Sequence, residues 1–379
     1  MFSKILIANR GEIAVRIIRA CKEMGIATVA IYSQADRDAL HVALADESYC
    51  VGGASPGESY LNEERVVSAA LVSGAQAIHP GYGFLSENAH FAALCRKNGL
   101  VFIGPSPESM EELSDKARLK EIMGRNGLEV IPGTQVLASA QAALAAAAEI
   151  GYPVMLKASA GGGGRGMRIV SREEDMPKEF KEAIDESKKA FGDDQVFIEK
   201  YLKGPKHVEV QVLADNYGNV VHLFDRDCSV QRRHQKVVEY APAFSVPEAS
   251  RQKIFDSAIR LCKQVGYRNA GTCEFLVDSD GNPYFIEMNP RIQVEHTVTE
   301  LVTDVDIVRS QILIAEGYPL NSPEINITSQ KAIECHGYAI QTRVTSEDPS
   351  NNFMPDTGKV SVYHSGSGNG IRLDGGNVY

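Results

Sequence analysis

The sequence predicts an α/β protein whose N-terminal part carries a parallel sheet. Short apolar stretches at 4–8, 28–32, 77–78 and 101–103 alternate with segments whose apolar residues recur at helical spacing. Strands that alternate with helices form parallel sheets with both faces covered. From about Lys206 the chain becomes strand-rich and forms a third region.

The helices of the N-terminal part follow its strands directly. Apolar residues recur at Ile13, Ile17, Cys21 and Met24, and Gly25 ends the pattern. Two further helices are predicted over about 62–72 and 88–97. The first strand-to-helix turn, residues 9–12, has one glycine and lacks the Gly-x-Gly-x-x-Gly fingerprint, which argues against an NAD site.

Proline and glycine mark the boundaries of the middle part. A linker with Pro105 and Pro107 precedes a helical stretch that holds Lys116, and Ile-Pro-Gly at 131–133 marks the next boundary. An alanine-rich helix predicted over Ser139–Ile150 opens a small unit. The expected division is an N-terminal domain over 1–112, a linker over 113–130, a small unit over 131–203 and a C-terminal part over 204–379.

Composition excludes several classes of protein. The chain has 379 residues, 44% of them hydrophobic, which is enough for two or three domains. A net charge of −10 argues against a general nucleic-acid binder. No apolar run is long enough to span a membrane, the start leads directly into a strand, and the seven scattered cysteines lack Cys-x-x-Cys pairing, so a cytoplasmic protein with reduced thiols is expected.

Polar side chains recur at every second position near the end of a predicted hairpin. They are Glu287, Asn289, Arg291, Gln293 and Glu295, within an otherwise apolar run. Side chains two apart on an extended chain share a face, so these five line one wall if Pro290 permits. Carboxylates, an amide and a cation in this arrangement indicate metal, phosphate and acid–base chemistry.

The hairpin itself predicts a divalent metal site. A turn over 278–282 joins two strands, and counting from its centre places Glu274 opposite Glu287. Opposed carboxylates repel each other unless a cation neutralises them, and Mg²⁺ prefers such oxygen ligands. Asn289 supplies a third oxygen. The alternative is a solvated hairpin face that carries surface glutamates.

A glycine tract indicates a mobile hairpin over a nucleotide. The strand at 154–157 runs into residues 160–166, of which five are glycine, and out through a strand at 167–170. Glycines let backbone N–H groups approach phosphate closely, and the absence of Gly-Lys-Ser/Thr excludes a P-loop. A flexible hairpin without a ligand is the alternative, and Lys157 just upstream favours phosphate.

The densest basic segment of this acidic chain spans 226–236. Arg232, His234 and Lys236 share one parity, which predicts an anion pocket, with a solvated strand face as the alternative. The loop at 78–88 lies between a strand and a helix, where α/β proteins place ligands. It is interpreted either as a pocket wall or as a tightly packed loop, with His79 as a structural hydrogen-bonding residue.

These segments together resemble the biotin carboxylase component of biotin-dependent carboxylases, and the resemblance runs from Lys4 to Asp374. The matching stretches are residues 9–14, 79–88, 157–159 with the glycine tract, and 226–236. Within that family, residues 289–291, 296–300 and 353–358 look more like pyruvate carboxylase than acetyl-CoA carboxylase. The resemblance implies an ATP-grasp fold with a Rossmann-like (pre-ATP-grasp) N-terminal domain, a small glycine-rich lid and a truncated C-terminal α+β domain.

The implied activity is that of an ATP-dependent ligase. ATP activates bicarbonate as carboxyphosphate, and the carboxyl group passes to N1′ of biotin, as the first half-reaction of a pyruvate carboxylase-type enzyme. The resemblance implies ATP contacts at Lys116, Lys157, Gly163, Gly164, Glu199, Lys200, Leu202, His207, Gln231 and His234. It implies Mg²⁺ or Mn²⁺ at Glu274, Glu287 and Asn289. It implies bicarbonate at Lys236, Arg291, Gln293 and Val294, a general base at Glu295, enolate stabilisation by Arg343, and biotin contacts at Tyr82 and Phe84.

The resemblance also implies partners. Biotin is expected on a separate carrier domain, and a carboxyltransferase domain is expected on a removed portion or another chain, because no Ala-Met-Lys-Met motif occurs here. A homodimer through the N-terminal helix is expected from Arg19, Glu23 and Arg372, while Asn369 departs from the family pattern. Two alternatives remain: an ATP-grasp ligase that captures an acyl phosphate with an amine, and a truncated fragment that binds nucleotide without turnover.

Overall fold

The computed structural model describes residues 1–376 except 115, 126–129, 160–165, 234 and 357–359, with the backbone only at 116–118, 120–121 and 191. Among the described helices, none combines the length and the apolar character needed to cross a bilayer.

The N-terminal part is a parallel sheet covered by helices, as the alternation predicts. Its strands are β1 (Lys4–Ile7), β2 (Ala27–Ser33), β3 (Glu47–Gly52), β4 (Ala77–His79) and β5 (Val101–Phe102), in the order β3-β2-β1-β4-β5. Its helices are α1 (Gly11–Glu23), α2 (Leu40–Leu44), α3 (Glu63–Ser73) and α4 (Ala89–Lys97). The sequence did not indicate α2 or β3, because β3 is an edge strand whose polar residues leave no continuous apolar run.

The middle part begins with α5 (Pro107–Ser114) and α6 (Lys116–Arg125), which confirms the helical stretch predicted around Lys116. A small antiparallel sheet follows, with strands in the order β7-β6-β8. Its elements are α7 (Ala140–Ile150), β6 (Val154–Ala158), β7 (Met167–Val170), α8 (Met176–Phe191) and β8 (Val196–Lys200). The pairing of β6 with β7 confirms the predicted hairpin, and residues 160–165 of its glycine tract lie outside the described residues.

The C-terminal part is built on an antiparallel sheet in the order β13-β12-β9-β10-β11-β14. Its strands are β9 (Lys206–Ala214), β10 (Val220–Arg232), β11 (Gln235–Ala241), β12 (Asn269–Val277), β13 (Pro283–Asn289) and β14 (Ala339–Thr342). Its helices are α9 (Glu248–Gln264), α10 (His296–Thr303) and α11 (Ile307–Ala315), and a short pair, β15 (Glu347–Asp348) and β16 (Met354–Pro355), follows.

One apolar core joins the two large sheets. Ile13 and Ile17 of α1 belong to the same buried cluster as Leu213 of β9 and Ile312 of α11. Burying aliphatic side chains contributes roughly 1.5–3 kcal/mol each, so this shared core holds the N-terminal sheet against the C-terminal one.

The hairpin of β12 and β13 has the predicted register, but for a different reason. Near the turn Val277 pairs with Pro283 and Phe275 with Phe285, which alone would bring Ile286 opposite Glu274. A β-bulge at Ile286 shifts the pairing by one residue, so Glu274 faces Glu287 as predicted. The bulge therefore sets the carboxylate pair.

Helix α3 starts at a side-chain cap. The Asn62 Oδ1 atom accepts a hydrogen bond of 3.0 Å from the backbone N–H of Arg65. We expect Asn62→Ala to lower the free energy of unfolding by about 1 kcal/mol, because that N–H loses its partner. Urea unfolding monitored by circular dichroism measures this, with Val72→Ala at a largely exposed position as control. Equal stabilities of the two variants would contradict the capping role.

Candidate active site

Lys236, at the start of β11, is the centre of a cluster of buried charges. Its Nζ donates to Glu274 Oε1 at 2.9 Å, to Glu295 Oε1 at 2.8 Å and to Glu209 Oε2. Burial disfavours the ammonium, but the charges of Glu209, Glu274 and Glu295 outweigh it and raise the pKa of Lys236. The lysine is thus permanently charged and holds three carboxylates together.

Glu209 connects this lysine to a second cation inside the sheet. The Arg226 side chain is fully buried and donates through Nε to Glu209 Oε1. Its Nη1 donates to Gln211 Oε1 at 2.9 Å and to Thr299 Oγ1 at 2.8 Å. Burial would raise the pKa of Glu209, but Lys236 and Arg226 outweigh it and lower that pKa. Because Thr299 belongs to α10, Arg226 also ties this helix to the sheet.

Glu274 is the carboxylate with the most partners at the site. Its Oε1 accepts from Lys236, from Asn289 Nδ2 at 2.9 Å and from Gln293 Nε2 at 3.0 Å. Its Oε2 lies 2.7 Å from His207 Nε2. Burial opposes the charge of Glu274, yet Lys236 and His207 lower its pKa, so this carboxylate is ionised.

The tautomer of His207 follows from its other neighbour. Gln231 Nε2 lies 2.8 Å from His207 Nδ1 and donates to it. Nδ1 is therefore an acceptor, and Nε2 carries the proton that points to Glu274.

Glu295 lies between two cations. Its side chain is fully buried, with Oε1 on Lys236 and Oε2 accepting from Arg343 Nη2 at 2.8 Å. Arg343, directly after β14, is held in turn by Glu239 of β11, whose Oε1 accepts from its Nε at 2.7 Å. A carboxylate fixed by two charged donors has a defined orientation, which general-base catalysis requires.

Arg291 joins the loop at 80–88 to this cluster. Its Nε donates to Glu87, and its Nη2 donates to Asn289 Oδ1 at 3.2 Å. The guanidinium therefore lies beside the polar end of β13, with a partly exposed side chain that can meet an anion.

The predicted metal ligands Glu274 and Glu287 lie opposite each other, and Asn289 lies two residues beyond Glu287 on the same strand. All three offer hard oxygen ligands from one hairpin face. Two other groups of described residues bring possible metal-ligand atoms within 4.8 Å of one another. They are His207, Glu209 and Glu274, and Glu209, Cys228 and Glu295. Glu209 serves both of these groups, and its two oxygens are already bound to Arg226 and Lys236.

The structure describes some, but not all, of the residues predicted to bind nucleotide. Lys157 of β6 donates to Glu199 of β8, and Lys200 Nζ donates to Gly151 O at 2.7 Å. Leu202, just beyond β8, is half-buried, as is Val294 beside the bicarbonate residues. Gly163, Gly164 and His234 lie outside the described residues, and the side chain of Lys116 is likewise not described.

Two parity predictions are wrong. Strand β13 ends at Asn289, so the side chains from Glu287 to Glu295 do not line one extended wall; residues 290–295 form a loop that leads into α10. Arg232 and Lys236 lie on opposite arms of a hairpin, where Lys236 pairs with Gln231 and Arg232 pairs with Gln235. Cross-strand partners share a face, so Arg232 points away from the site.

The Arg232 side chain lies on the outward face of that hairpin. Its guanidinium donates to Glu347 and lies 5.4 Å from the ring centroid of Phe353. Of the three residues predicted to share a face, Lys236 therefore lies in the cluster, Arg232 lies on the opposite face, and His234 lies outside the described residues.

The loop at 78–88 divides its side chains between two surroundings. The Tyr82 hydroxyl donates to Glu12, and Arg343 and Glu295 lie near enough to influence it electrostatically. The Phe84 ring instead stacks on Tyr60 at 5.0 Å. His79 is fully buried and its Nδ1 accepts from the Gly81 N–H at 3.1 Å, which agrees with the structural role predicted for it.

Three buried charged residues of the cluster had no predicted role: Glu209, Arg226 and Glu239. In strand β9, His207, Glu209 and Gln211 alternate with valines, and this period of two could have indicated a polar face. Glu239 stands alone between Val238 and Tyr240, so the sequence gives no signal for it.

The parallel N-terminal sheet, the small glycine-bearing unit and the polar antiparallel sheet define a protein of the ATP-grasp class. A family profile described as "Biotin carboxylase, N-terminal domain" matches residues 1–110, and one described as "Carbamoyl-phosphate synthase L chain, ATP binding domain" matches residues 115–323. The chain belongs to the biotin carboxylase family.

Two relatives show how much of a longer protein this chain resembles. It is 53% identical over 378 residues to pyruvate carboxylase of Bacillus subtilis, covering 99% of this chain and 33% of that protein. It is 52% identical over 375 residues to the 2-oxoglutarate carboxylase small subunit of Hydrogenobacter thermophilus, covering 99% of this chain and 78% of that one. The chain thus spans about a third of the length of the curated pyruvate carboxylases it matches.

Solved structures show the same fold. Biotin carboxylase from Campylobacter jejuni superposes with a TM-score of 0.91 at 49% identity, covering 99% of this chain and 82% of that one. The biotin carboxylase domain dimer of the Hydrogenobacter thermophilus 2-oxoglutarate carboxylase, in complex with MgADP, ADP and bicarbonate, superposes with a TM-score of 0.90 at 50% identity, covering 100% and 83%.

Proposed function

We propose that this chain carries out the biotin carboxylase half-reaction of a pyruvate carboxylase-type enzyme. It uses MgATP to activate bicarbonate as carboxyphosphate and transfers the carboxyl group to N1′ of biotin. The observation that carries this proposal is Glu295, a fully buried carboxylate fixed between Lys236 and Arg343. The Hydrogenobacter thermophilus domain seen with MgADP and bicarbonate supports the same ligands here.

The nucleotide side of the site is assigned to the small sheet and to β9–β13. Lys157, Lys200 and His207 bind and orient ATP, together with Lys116, Gly163, Gly164, Glu199, Leu202, Gln231 and His234. Glu274, Glu287 and Asn289 hold Mg²⁺ or Mn²⁺, which neutralises charge on the phosphates as the terminal phosphoryl group moves.

Bicarbonate is assigned to the space between Lys236, which binds Glu295, and Arg291, which lies beside Asn289. Lys236 and Arg291 attract the anion, and Gln293 and Val294 orient it. Glu295 takes the proton from the bicarbonate hydroxyl, and the oxygen freed of that proton attacks the γ-phosphorus while ADP leaves. Because Glu295 is shielded from water, its proton transfer is confined to a bound ligand.

The biotin side is assigned to Arg343, Tyr82 and Phe84. Carboxyphosphate breaks down to CO2 and phosphate, and the phosphate takes the N1′ proton of biotin as N1′ attacks CO2. Negative charge develops on the ureido oxygen in this step, and the permanently charged guanidinium of Arg343 stabilises it. Tyr82 lies near Arg343, which supports a contact between Tyr82 and the biotin ring. The contact of Phe84 with biotin rests on the resemblance alone, because its ring stacks on Tyr60.

The partners of the complete system follow from this assignment. Biotin arrives on a separate carrier domain, and a carboxyltransferase receives the carboxyl group. We propose a homodimer through α1; the domain dimer of the Hydrogenobacter thermophilus relative supports a dimer. A cytoplasmic location is supported by seven cysteines that are all free.

The test is ADP release with MgATP, with and without bicarbonate and free biotin. We expect turnover that needs both substrates and that falls about 100-fold in Glu295→Gln, because the general base is lost. Glu248→Gln, at an exposed glutamate of α9, is the control and should leave the rate unchanged. ADP release that depends on ammonia in place of biotin would show an amine-capturing ligase, and nucleotide binding without ADP release would sink the proposal.

A further inference from the structure

A buried carboxylate behind Arg343 has no role in the chemistry described above. Glu239 lies on β11 with a fully buried side chain; its Oε1 accepts a hydrogen bond from Arg343 Nε at 2.7 Å and lies 2.6 Å from Nη2, within ion-pair distance. The backbone N–H of Arg343 donates to Val237 O at 3.0 Å, so Arg343 continues the pairing of β11 with β14. Backbone and side chain of the arginine are thus both fixed to the same strand.

An ionised carboxylate inside a sheet needs a compensating charge. Burial raises the pKa of Glu239, and the charge of Arg343 acts against this rise. Among the described residues its other side-chain partner is Gln341, at a long 3.4 Å. The ion pair with Arg343 is therefore the described contact that compensates the burial of this carboxylate.

The hydrogen bonds divide the guanidinium into a held part and a free part. Nε and Nη2 bind Glu239, and Nη2 also donates to Glu295 Oε2 at 2.8 Å. Within the part of the chain that the structure describes, Nη1 has no hydrogen-bonding partner. Arginine has five N–H donors in a rigid plane, so fixing Nε and Nη2 also fixes the direction of the Nη1 donors.

We propose that Glu239 is a positioning residue for the carboxylation step: it anchors Arg343 so that the Nη1 donors meet the ureido oxygen of biotin. Among the described residues, Glu295 is the only other carboxylate bound to Arg343. Without the Glu239 charge, Arg343 is free to rotate and form a bidentate ion pair with Glu295. Such a pair removes the donors from biotin and adds a second hydrogen bond to the general base. This inference rests on the proposed function.

The kinetic signature separates positioning from general damage. For Glu239→Gln we expect kcat/KM for free biotin to fall about 10-fold, because one charge-assisted anchor is lost, with KM for ATP unchanged. In an Arg343→Gln background the same substitution should change kcat/KM for biotin by less than about 2-fold, since nothing remains to be positioned. If kcat/KM for biotin in the double variant falls by the product of the two single-variant effects, the proposal is overturned.

A second buried carboxylate provides the matched control. Asp225 of β10 is also fully buried and is held by Arg251 of α9, and its side-chain hydrogen bonds to described residues go to Arg251 and to the backbone N–H of Ala243, outside the active-site cluster. Asp225→Asn removes a comparable ion pair, so it should lower stability without the selective loss in kcat/KM for biotin. The same selective loss in this control would overturn the assignment to Glu239.

The contact itself is measured without catalysis. In chain labelled with ¹⁵N-arginine, the Nε–H signal of Arg343, identified by its absence from Arg343→Lys, should exchange slowly with water and should be lost or accelerated in Glu239→Gln. A signal that is unchanged in Glu239→Gln would overturn the proposal. A wild-type chain without biotin-dependent turnover would contradict the proposed function, while this signal would still report whether Glu239 holds Arg343.

Discussion

Lys236→Met is expected to lower turnover at least about 1,000-fold and to reduce the free energy of unfolding by about 3–5 kcal/mol. The lysine neutralises Glu209, Glu274 and Glu295 at once, and all three are buried. Methionine fills similar space but leaves these carboxylates with mutual repulsion and fewer hydrogen bonds. ADP release and urea unfolding measure the two effects.

Two further variants separate charge from shape in this experiment. Lys236→Arg keeps a positive charge among the three carboxylates, so it should retain most of the stability while its different geometry still lowers turnover. Lys253→Met, at an exposed position of α9, should change neither quantity. Normal stability of Lys236→Met would contradict the central place of this lysine in the cluster.

The sequence predicted the parts of the fold that depend on local periodicity. The parallel N-terminal sheet follows from strands and helices that alternate, and the pairing of Glu274 with Glu287 is confirmed. That pairing was counted from a symmetric turn, whereas the structure reaches it by a bulge at Ile286. A bulge depends on how neighbouring strands pack, so the sequence of one hairpin does not reveal it.

The site was predictable only as a set of residues, not as an arrangement. Their spacing predicts that the five polar side chains from Glu287 to Glu295 share one face if Pro290 permits, but the chain leaves the sheet after Asn289. Gln293 still reaches Glu274, and Glu295 reaches Lys236, because the loop and the start of α10 bring them back. The buried partners came from strands distant in sequence, which no local pattern connects.

The pH dependence of stability should depend strongly on His79. Burial lowers the pKa of this imidazole from 6.5 to about 3, and the nearby charges of Arg16 and His296 act in the same direction. The unfolded chain therefore binds a proton at a higher pH than the folded chain. The contribution of His79 to stability is complete above pH 6.5 and is lost as the pH falls toward 3.

Between pH 7.5 and 5 this linkage amounts to about 2 kcal/mol for His79 alone. We expect the free energy of unfolding of the wild-type chain to fall by that much more than in His79→Gln, which keeps an acceptor for the Gly81 N–H but does not titrate. Contributions of other groups, such as His222 with its pKa lowered to about 4, cancel in the comparison because both chains carry them. His90→Gln, at a largely exposed histidine, should follow the wild-type curve. Parallel curves for wild type and His79→Gln would mean that His79 is accessible to protons in the folded chain, and the loop that carries Tyr82 would then be less firmly packed than its contacts indicate.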